Sequence, residues 1–568
     1  MQIVRRLYLY GMSGITLGVL LVGLNNLFVV VFHAFGLGRG QFGGPSADRE
    51  QLSLAIALIV VGLLVWTIHW LIVERSVRDG AADGAEERTS AIRAFYLSVV
   101  LAVLLVFGVL AGVQLLEAIA HRLLGITNEP DFELLDIDSG AALATVLVVG
   151  LAWLYHAVIR RRDLATAPME GAAAWIPRVY LYGAALLGLI LTAISIGSLL
   201  DTALDLAVGI QPDFGPPSFA QRAGADAVAG IVGWGVVFAG HWWYATSLMG
   251  GDGWRATSER RARLRVAYLL AVIVAGAIAT VGFGGASLTS LVLALGIDRQ
   301  ALPQSPLRSI VGPLLLLLPW AFAWLVHRRW LDDEARALHD PDRIVAVGRL
   351  AAAGVALVGA FAAAGGVGGL LGLLIDLLLG GDRTAGSSWR DELAAFLAVA
   401  FIGGGLWLWN WANLQNRRAA APQEEARSTI RRAYLLIILG ASLLAALASL
   451  AVLLFQLFNA ILAVEPFGNV ASLIATALGI LLTAAASAAY HGLAERRDRA
   501  LRRGLAAAPA IPLEAEVPGE APAAAPAGAA SRQLLLSGPS PEALDAAVAS
   551  IRGALPAEVS LEEAPGDR

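Results

Sequence analysis

The chain contains no cysteine. Disulfides, thiolate metal sites and thiol nucleophiles are therefore excluded. It also contains no lysine: all 41 basic residues are arginine. Charge of either sign is scarce, at 15% of 568 residues, against roughly 25% in an ordinary soluble domain. The net charge of −4 supplies no overall basic field, so nucleic acid is not an expected partner. No phosphate-binding loop is present. The glycine run Gly365-Gly366-Val367-Gly368-Gly369 lacks the following Lys-Ser/Thr and lies within an apolar stretch.

What the chain has is apolar length. Hydrophobic residues make up 57%, and the mean hydropathy is +0.69. Apolar runs of about 20 residues or more recur from end to end, each sufficient to cross a hydrocarbon core of about 30 Å. They are continuous where barrel strands would alternate. A helix also satisfies its own backbone groups, which lipid requires. The expected fold is all-α: a polytopic transmembrane bundle of about twelve helices with a short cytoplasmic tail. The helices are expected at 7–35, 52–73, 94–120, 140–159, 177–207, 224–249, 264–295, 307–327, 346–379, 393–414, 431–463 and 470–494. The first is too long for a signal peptide and matches later segments, so it reads as a retained span.

Internal repetition organises these spans into six tandem two-helix hairpins. Each opens with an arginine two or three residues before an anchor position. The anchors are Tyr8, Tyr96, Tyr180, Tyr268, Ala351 and Tyr434. Successive anchors lie 88, 84, 88, 83 and 83 residues apart. The second helix of each hairpin closes on an aromatic motif. It reads Trp66-x-x-His69, Trp153-x-x-His156, Trp324-x-x-His327 and Trp407-x-x-Asn410. The last copy keeps Tyr490-His491, and in the third Trp243 aligns best with the histidine. Arginine clusters follow, as at Arg160 to Arg162 and Arg417-Arg418.

Arginine sets the orientation. The N-terminus, the inter-repeat loops and the stretch up to Arg503 hold 30, whereas the loops within hairpins hold 8; acidic residues divide 18 and 18. The positive-inside rule then places the inter-repeat loops and both termini in the cytoplasm. Paired hairpins suggest three membrane units at 1–165, 166–335 and 336–503. An Ala/Pro-rich linker follows at 504–531. Residues 532–568 carry a strand–helix–strand pattern, with Ser540-Pro541 as a helix start. That tail is a candidate contact for a protein partner.

Two polar columns are the candidate sites. The first is His69, His156, His327 and His491 with Tyr8, Tyr96, Tyr180, Tyr268 and Tyr434. Tryptophan and tyrosine belong at the membrane interface, so a Tyr–His bond that anchors helices is the simplest role. A metal or haem site would require the histidines of different hairpins to converge, and no His-x-x-x-His spacing supports it. The second column lies 25 residues past each anchor: His33, His121, Asp205, Leu293, Asp376 and Asn459. At 1.5 Å per residue this is about 38 Å along the helix, at the outer interface. Glu117 and Asp201 sit one turn earlier. Acids inside a membrane are costly and count as functional candidates. Gly14/Gly18, Gly108/Gly112 and Gly368/Gly372 have the spacing of close helix packing.

The Arg-x(x)-Tyr opening, the hairpin and the Trp-x-x-His-plus-Arg ending together resemble the bacterial multi-pass membrane family called domain of unknown function 5671. The resemblance covers roughly residues 1–500 as tandem copies. It implies a bacterial inner-membrane protein and no particular activity. Ala351 and Trp243 depart from the motif. No catalytic residue, cofactor or metal is expected. The leading reading is a non-enzymatic membrane scaffold or assembly protein whose partners are the bilayer and a protein held by the tail. The alternative is a transporter or channel for a small solute or ion, and neither reading fixes an oligomeric state.

The cysteine-free chain allows a direct test of orientation. Single cysteines beside Arg161 and Arg417 are expected to react with an impermeant maleimide only after the membrane is permeabilised, and one beside Glu129 in intact cells. The reverse pattern would invert the topology.

Overall fold

The computed structural model describes residues 2–37, 44–78, 82–126, 138–166, 169–209, 218–251, 253–297, 305–381, 388–462 and 467–507. The 532–568 tail, nearly all of the linker and most of the acidic stretch from Glu129 to Asp138 lie outside them.

Among the described residues the chain is helical, without a strand. In chain order the helices are α1 (Gln2–Ala34), α2 (Gly44–Arg78), α3 (Ala82–Arg88), α4 (Ala91–Leu123), α5 (Ser139–Thr166), α6 (Gly171–Ala207), α7 (Ser218–Ser247), α8 (Trp254–Arg260), α9 (Arg263–Ala279), α10 (Gly285–Val292), α11 (Pro306–Ala337), α12 (Pro341–Leu379), α13 (Trp389–Ala420), α14 (Pro422–Arg427), α15 (Thr429–Ile461) and α16 (Phe467–Ala507). Twelve segments are long and apolar enough to cross a membrane. The α9–α10 span is the irregular one, with π-helical turns at Thr280–Gly284 and Leu293–Ile297. The short helices α3, α8 and α14 were not expected. Each follows an odd-numbered pair of spans.

Termini follow capping chemistry. Ser305 and Asp340 precede Pro306 and Pro341, and their side-chain oxygens accept from Arg308 N at 3.3 Å and Arg343 N at 3.1 Å. Helix α12 stops at Gly380, whose φ of 67° is the left-handed conformation glycine tolerates best.

Consecutive long helices pack in pairs: α1 on α2, α4 on α5, α6 on α7, α9 on α11 and α12 on α13. The Ser442–Ser487 bond of 3.0 Å joins α15 to α16. The first helix of each pair also meets the second helix of the next, as α1 does α5, α4 does α7, α6 does α11 and α10 does α13. Large apolar side chains stay outside, with Phe322, Phe401 and Trp409 70–79% exposed. Water would oppose such a surface and lipid does not.

Glycine sets the closest approaches, but largely at positions other than those expected. A Cβ on Gly62 would fall 2.6 Å from Leu20 N, and one on Gly188 2.7 Å from Phe238 N. One on Gly359 would fall 2.4 Å from Trp407 N. Of the expected pairs, only Gly368/Gly372 lies against another backbone, that of α16 near Gly479. Gly14 meets only the Tyr96 ring, and Gly18 has nothing within 4 Å. The spacing rule finds a small face without saying whether a helix covers it.

Gly403 and Gly404 give a paired test. A Cβ at 403 would lie 2.6 Å from Ala363 N, whereas one at 404 meets nothing within 4 Å. Gly403→Ala is expected to destabilise the detergent-solubilised protein by about 1–3 kcal/mol. Gly404→Ala should be neutral or stabilising. Thermal unfolding measures both, and equal effects would contradict the packing.

Candidate functional site

The polar groups gather at the two ends of the spans. At the arginine-rich end the opening arginines divide into two kinds. Arg6, Arg178 and Arg349 reach acids on the short helices. Arg6 Nε donates to Glu87 at 2.7 Å, Arg178 Nε to Glu259 at 2.9 Å and Arg349 Nε to Glu425 at 2.7 Å. Arg93, Arg265 and Arg431 are 1% exposed and reach acids near the end of the next long helix. Arg93 Nε donates to Asp163 at 2.6 Å, Arg265 Nε to Glu334 at 2.7 Å and Arg431 Nε to Asp498 at 2.7 Å. Arg93 also donates to Glu74 at 2.8 Å, and Arg431 to Gln415 at 2.8 Å.

A tyrosine joins the two kinds. Tyr10 donates to Glu87 at 2.9 Å and accepts from Arg93 at 3.3 Å. Tyr182 does the same between Glu259 and Arg265. The result is a continuous chain, Arg6–Glu87–Tyr10–Arg93–Asp163, with a second copy Arg178–Glu259–Tyr182–Arg265–Glu334. Spacings coincide: Arg to short-helix acid is 81 residues in both, Tyr to that acid 77, and the later Arg back to Tyr 83. In the third set the tyrosine position is Ala353. Glu425 Oε2, buried, then has no hydrogen-bond partner.

One turn deeper lies a Tyr–His–Trp layer. Tyr8 bonds His69 at 3.2 Å, Tyr180 bonds His241 at 3.0 Å and Tyr268 bonds His327 at 3.0 Å. Each histidine Nδ1 also lies 2.7–2.9 Å from the carbonyl oxygen four residues back, at Val65, Ala152, Val237, Ala323 and Ser487. A carbonyl only accepts, so Nδ1 carries the proton and Nε2 accepts from the tyrosine hydroxyl. The third histidine is thus His241, three residues after Phe238, and not the position of Trp243, which is 71% exposed. Two-residue slippage in an aromatic run misled the alignment. His156 and His491 pack their rings 6.2 Å from Tyr96 and 6.0 Å from Tyr434, and their Nε2 atoms have no partner. Tyr434 accepts instead from Trp407 at 3.1 Å. In the fifth pair both members are replaced, by Ala351 and by Asn410, whose amide donates to the Leu406 carbonyl at 2.9 Å.

The opposite end carries the second column. His33 pairs with Asp138 at 2.7 Å and His121 with Asp226 at 2.8 Å. Asp201 and Asp205 share Arg308, the former at 2.8 Å. Each joins the first helix of one pair to the second helix of the next, and the acid and base exchange sides at Arg308. Asp376 is fully buried in a pocket closed by Gly381, where a Cβ would collide with its carboxylate and with Ser472 Oγ. Glu117 is half-buried one turn before His121, and no described residue bonds its carboxylate. Among the described residues, no three His, Asp or Glu side chains converge as a metal would need.

The residues that sequence reading missed are the acceptors: Glu87, Asp163, Glu259, Glu334, Asp498, Asp138 and Asp226. Asp138 and Asp226 each lie 105 residues past their histidine, a spacing that consecutive hairpins share; for the acids that meet arginine the signal was present in the equal spacings between alternate copies. It was hidden because single hairpins were compared, and odd and even hairpins place their acids differently.

Twelve membrane-length helices, apolar outside and tied by polar bonds at both ends, define a multi-pass helical membrane protein. The family described as domain of unknown function (DUF5671) matches at residues 6–144, 138–236, 178–322 and 349–508, and the chain belongs to that family in tandem copies. No curated protein and no solved structure matches it.

Arg93→Met removes the cation that Asp163 and Glu74 share and is expected to cost about 3–5 kcal/mol in detergent unfolding, the scale of breaking a buried ion pair from one side. Glu259→Gln should cost clearly more than Glu425→Gln, because both Glu259 oxygens accept hydrogen bonds and one Glu425 oxygen accepts none. Equal losses would contradict the Ala353 gap.

Proposed function

We propose that the chain is a non-enzymatic scaffold of the bacterial inner membrane, built as three four-helix units at 1–165, 166–335 and 336–503. Both termini lie in the cytoplasm, and the 532–568 tail holds a protein partner. The observation that carries this reading is how the charged groups are used. At the arginine-rich end the buried charged groups, Arg160 excepted, bond one another, and most of those bonds link different helices. A transport site would keep such groups free for solute near the midplane.

One observation favours the second reading, a transporter or channel for a small solute or ion. Helix α9 passes into the π-helical turn Thr280–Gly284 within its span, and such turns often mark functional positions. Around it, however, Gly284 faces Ile402 and Leu317, which offer an ion no ligand.

Reconstitution separates the two. Proteoliposomes are expected to show no proton, sodium or potassium flux above protein-free vesicles. Removal of residues 508–568 should release a partner crosslinked in native membrane while the bundle stays folded. Flux abolished by Asp376→Asn or Arg308→Gln would replace the scaffold with a transporter.

A further inference from the structure

One guanidinium at the arginine-rich end stands outside the charge chains. Arg160 lies on α5, one turn past His156, and is 8% exposed. It donates to the Pro177 carbonyl oxygen at 2.8 Å, and its Cζ lies 4.9 Å from the Tyr180 ring centroid. Among the described residues no carboxylate pairs with it. The acids lining the same region are engaged elsewhere, Glu259 by Arg178 and Tyr182, and Asp163 by Arg93.

The repeat shows that packing does not demand an arginine there. Four residues beyond His69, His241, His327 and Asn410 stand Val73, Ala245, Leu331 and Leu414, all buried and apolar. In the sixth pair the position is Glu495, which has Arg502 at 2.7 Å. Arg160 alone in this set bears a buried charge without an opposite one. Burying a cation in that way is costly unless an anion arrives.

A cleft opens beside it. It encloses about 80 Å³ and is lined by Arg160, Arg178, Tyr244, Trp254, Arg255 and Ser258 among others. Arg178 donates to Ser258 Oγ at 2.8 Å, so the serine keeps its own proton to give. Arg255 is exposed; one of its N–H groups donates to the Ala165 carbonyl oxygen and its guanidinium lies over the Trp254 ring, and it has no carboxylate partner among the described residues. Glu259 is balanced by Arg178, which leaves two positive charges facing the opening. Leu164, Leu181 and Leu248 form its apolar wall.

We infer that this cleft between α5, α6 and α8 binds a phosphate group, presented by an anionic phospholipid or by a soluble phosphate ester. Two guanidinium forks and a hydroxyl match several acceptor oxygens on one centre, which a phosphate supplies and a single carboxylate does not. The inference stands whichever of the two functional readings holds.

The test uses the full chain in phosphatidylcholine nanodiscs. One arm titrates inorganic phosphate and the other replaces part of the lipid with phosphatidylglycerol; native mass spectrometry and thermal unfolding report binding. Binding in the first arm identifies a soluble phosphate, and binding in the second alone a lipid headgroup. Arg160→Leu is expected to weaken binding about tenfold or more, the scale of one charge-assisted hydrogen bond, and Arg160→Lys less so. Without ligand, Arg160→Leu should unfold no earlier than the native chain. Arg255→Ala, on the exposed rim, tests the same site if the Arg160 variants do not fold. No binding in either arm, or binding unchanged by Arg160→Leu and by Arg255→Ala, would overturn the inference.

Discussion

A guanidinium withdrawn from water must be met by carboxylates, and the arginine-rich end is arranged around that need. Arg93, Arg265 and Arg431 are almost fully buried. Each draws an acid from near the end of the next long helix, so helices that adjoin in sequence are held together at one level. Such pairs contribute little net stability against an apolar substitute, because desolvation offsets the attraction. They contribute register instead. Lipid-facing helices slide easily, since leucine against leucine resembles leucine against lipid. A cation that finds its acid at one vertical offset only removes that freedom. The His33–Asp138, His121–Asp226 and Arg308 pairs fix the opposite end in the same way.

The spans were legible because hydrophobic length is a one-dimensional property. Helix α12 covers 341–379 where 346–379 was expected, and α6 covers 171–207 where 177–207 was expected. These errors fall at the arginine-rich end, where the helices continue beyond the apolar run, while α2 and α7 begin at 44 and 218 where 52 and 224 were expected, at the opposite end. Polar side chains at the arginine-rich end are paired with neighbours, which keeps the backbone helical past the point where hydropathy falls. The short helices α3, α8 and α14 were invisible for a related reason. Ala-Asp-Gly-Ala-Glu-Glu-Arg at 82–88 has no apolar period, and its helix is held by Arg6 drawing on Glu86 and Glu87.

The columns were legible as columns, but their partners were not. His33, His121 and Asp205 stand out because polar residues are rare in these spans. Their partners Asp138, Asp226 and Arg308 sit near the starts of helices, where polarity is ordinary and a charge draws no notice. The glycines show the same limit. Gly14 and Gly18 have the right spacing without a covering helix, whereas Gly188 and Gly359 support backbone contact without a motif. Sequence spacing describes one surface, and contact requires two.

The third set of arginine bonds shows what the charge chain can lose. Ala353 stands where the other two sets have the tyrosine that links their arginines, which removes one acceptor for Arg431 and one donor for Glu425. Arg431 keeps the contacts its counterparts make with a tyrosine present: it donates to the Leu414 carbonyl as Arg265 does to that of Ala245, and to Gln415 as Arg93 does to Glu74. Asp498 gains Arg418 at 2.6 Å. Each cation keeps its acceptors, while the Glu425 oxygen does not regain a donor. The loss therefore falls on the carboxylate oxygen and not on the guanidinium. The tyrosine is therefore the dispensable link of the chain, and the arginine with its acid the part that persists in all three sets.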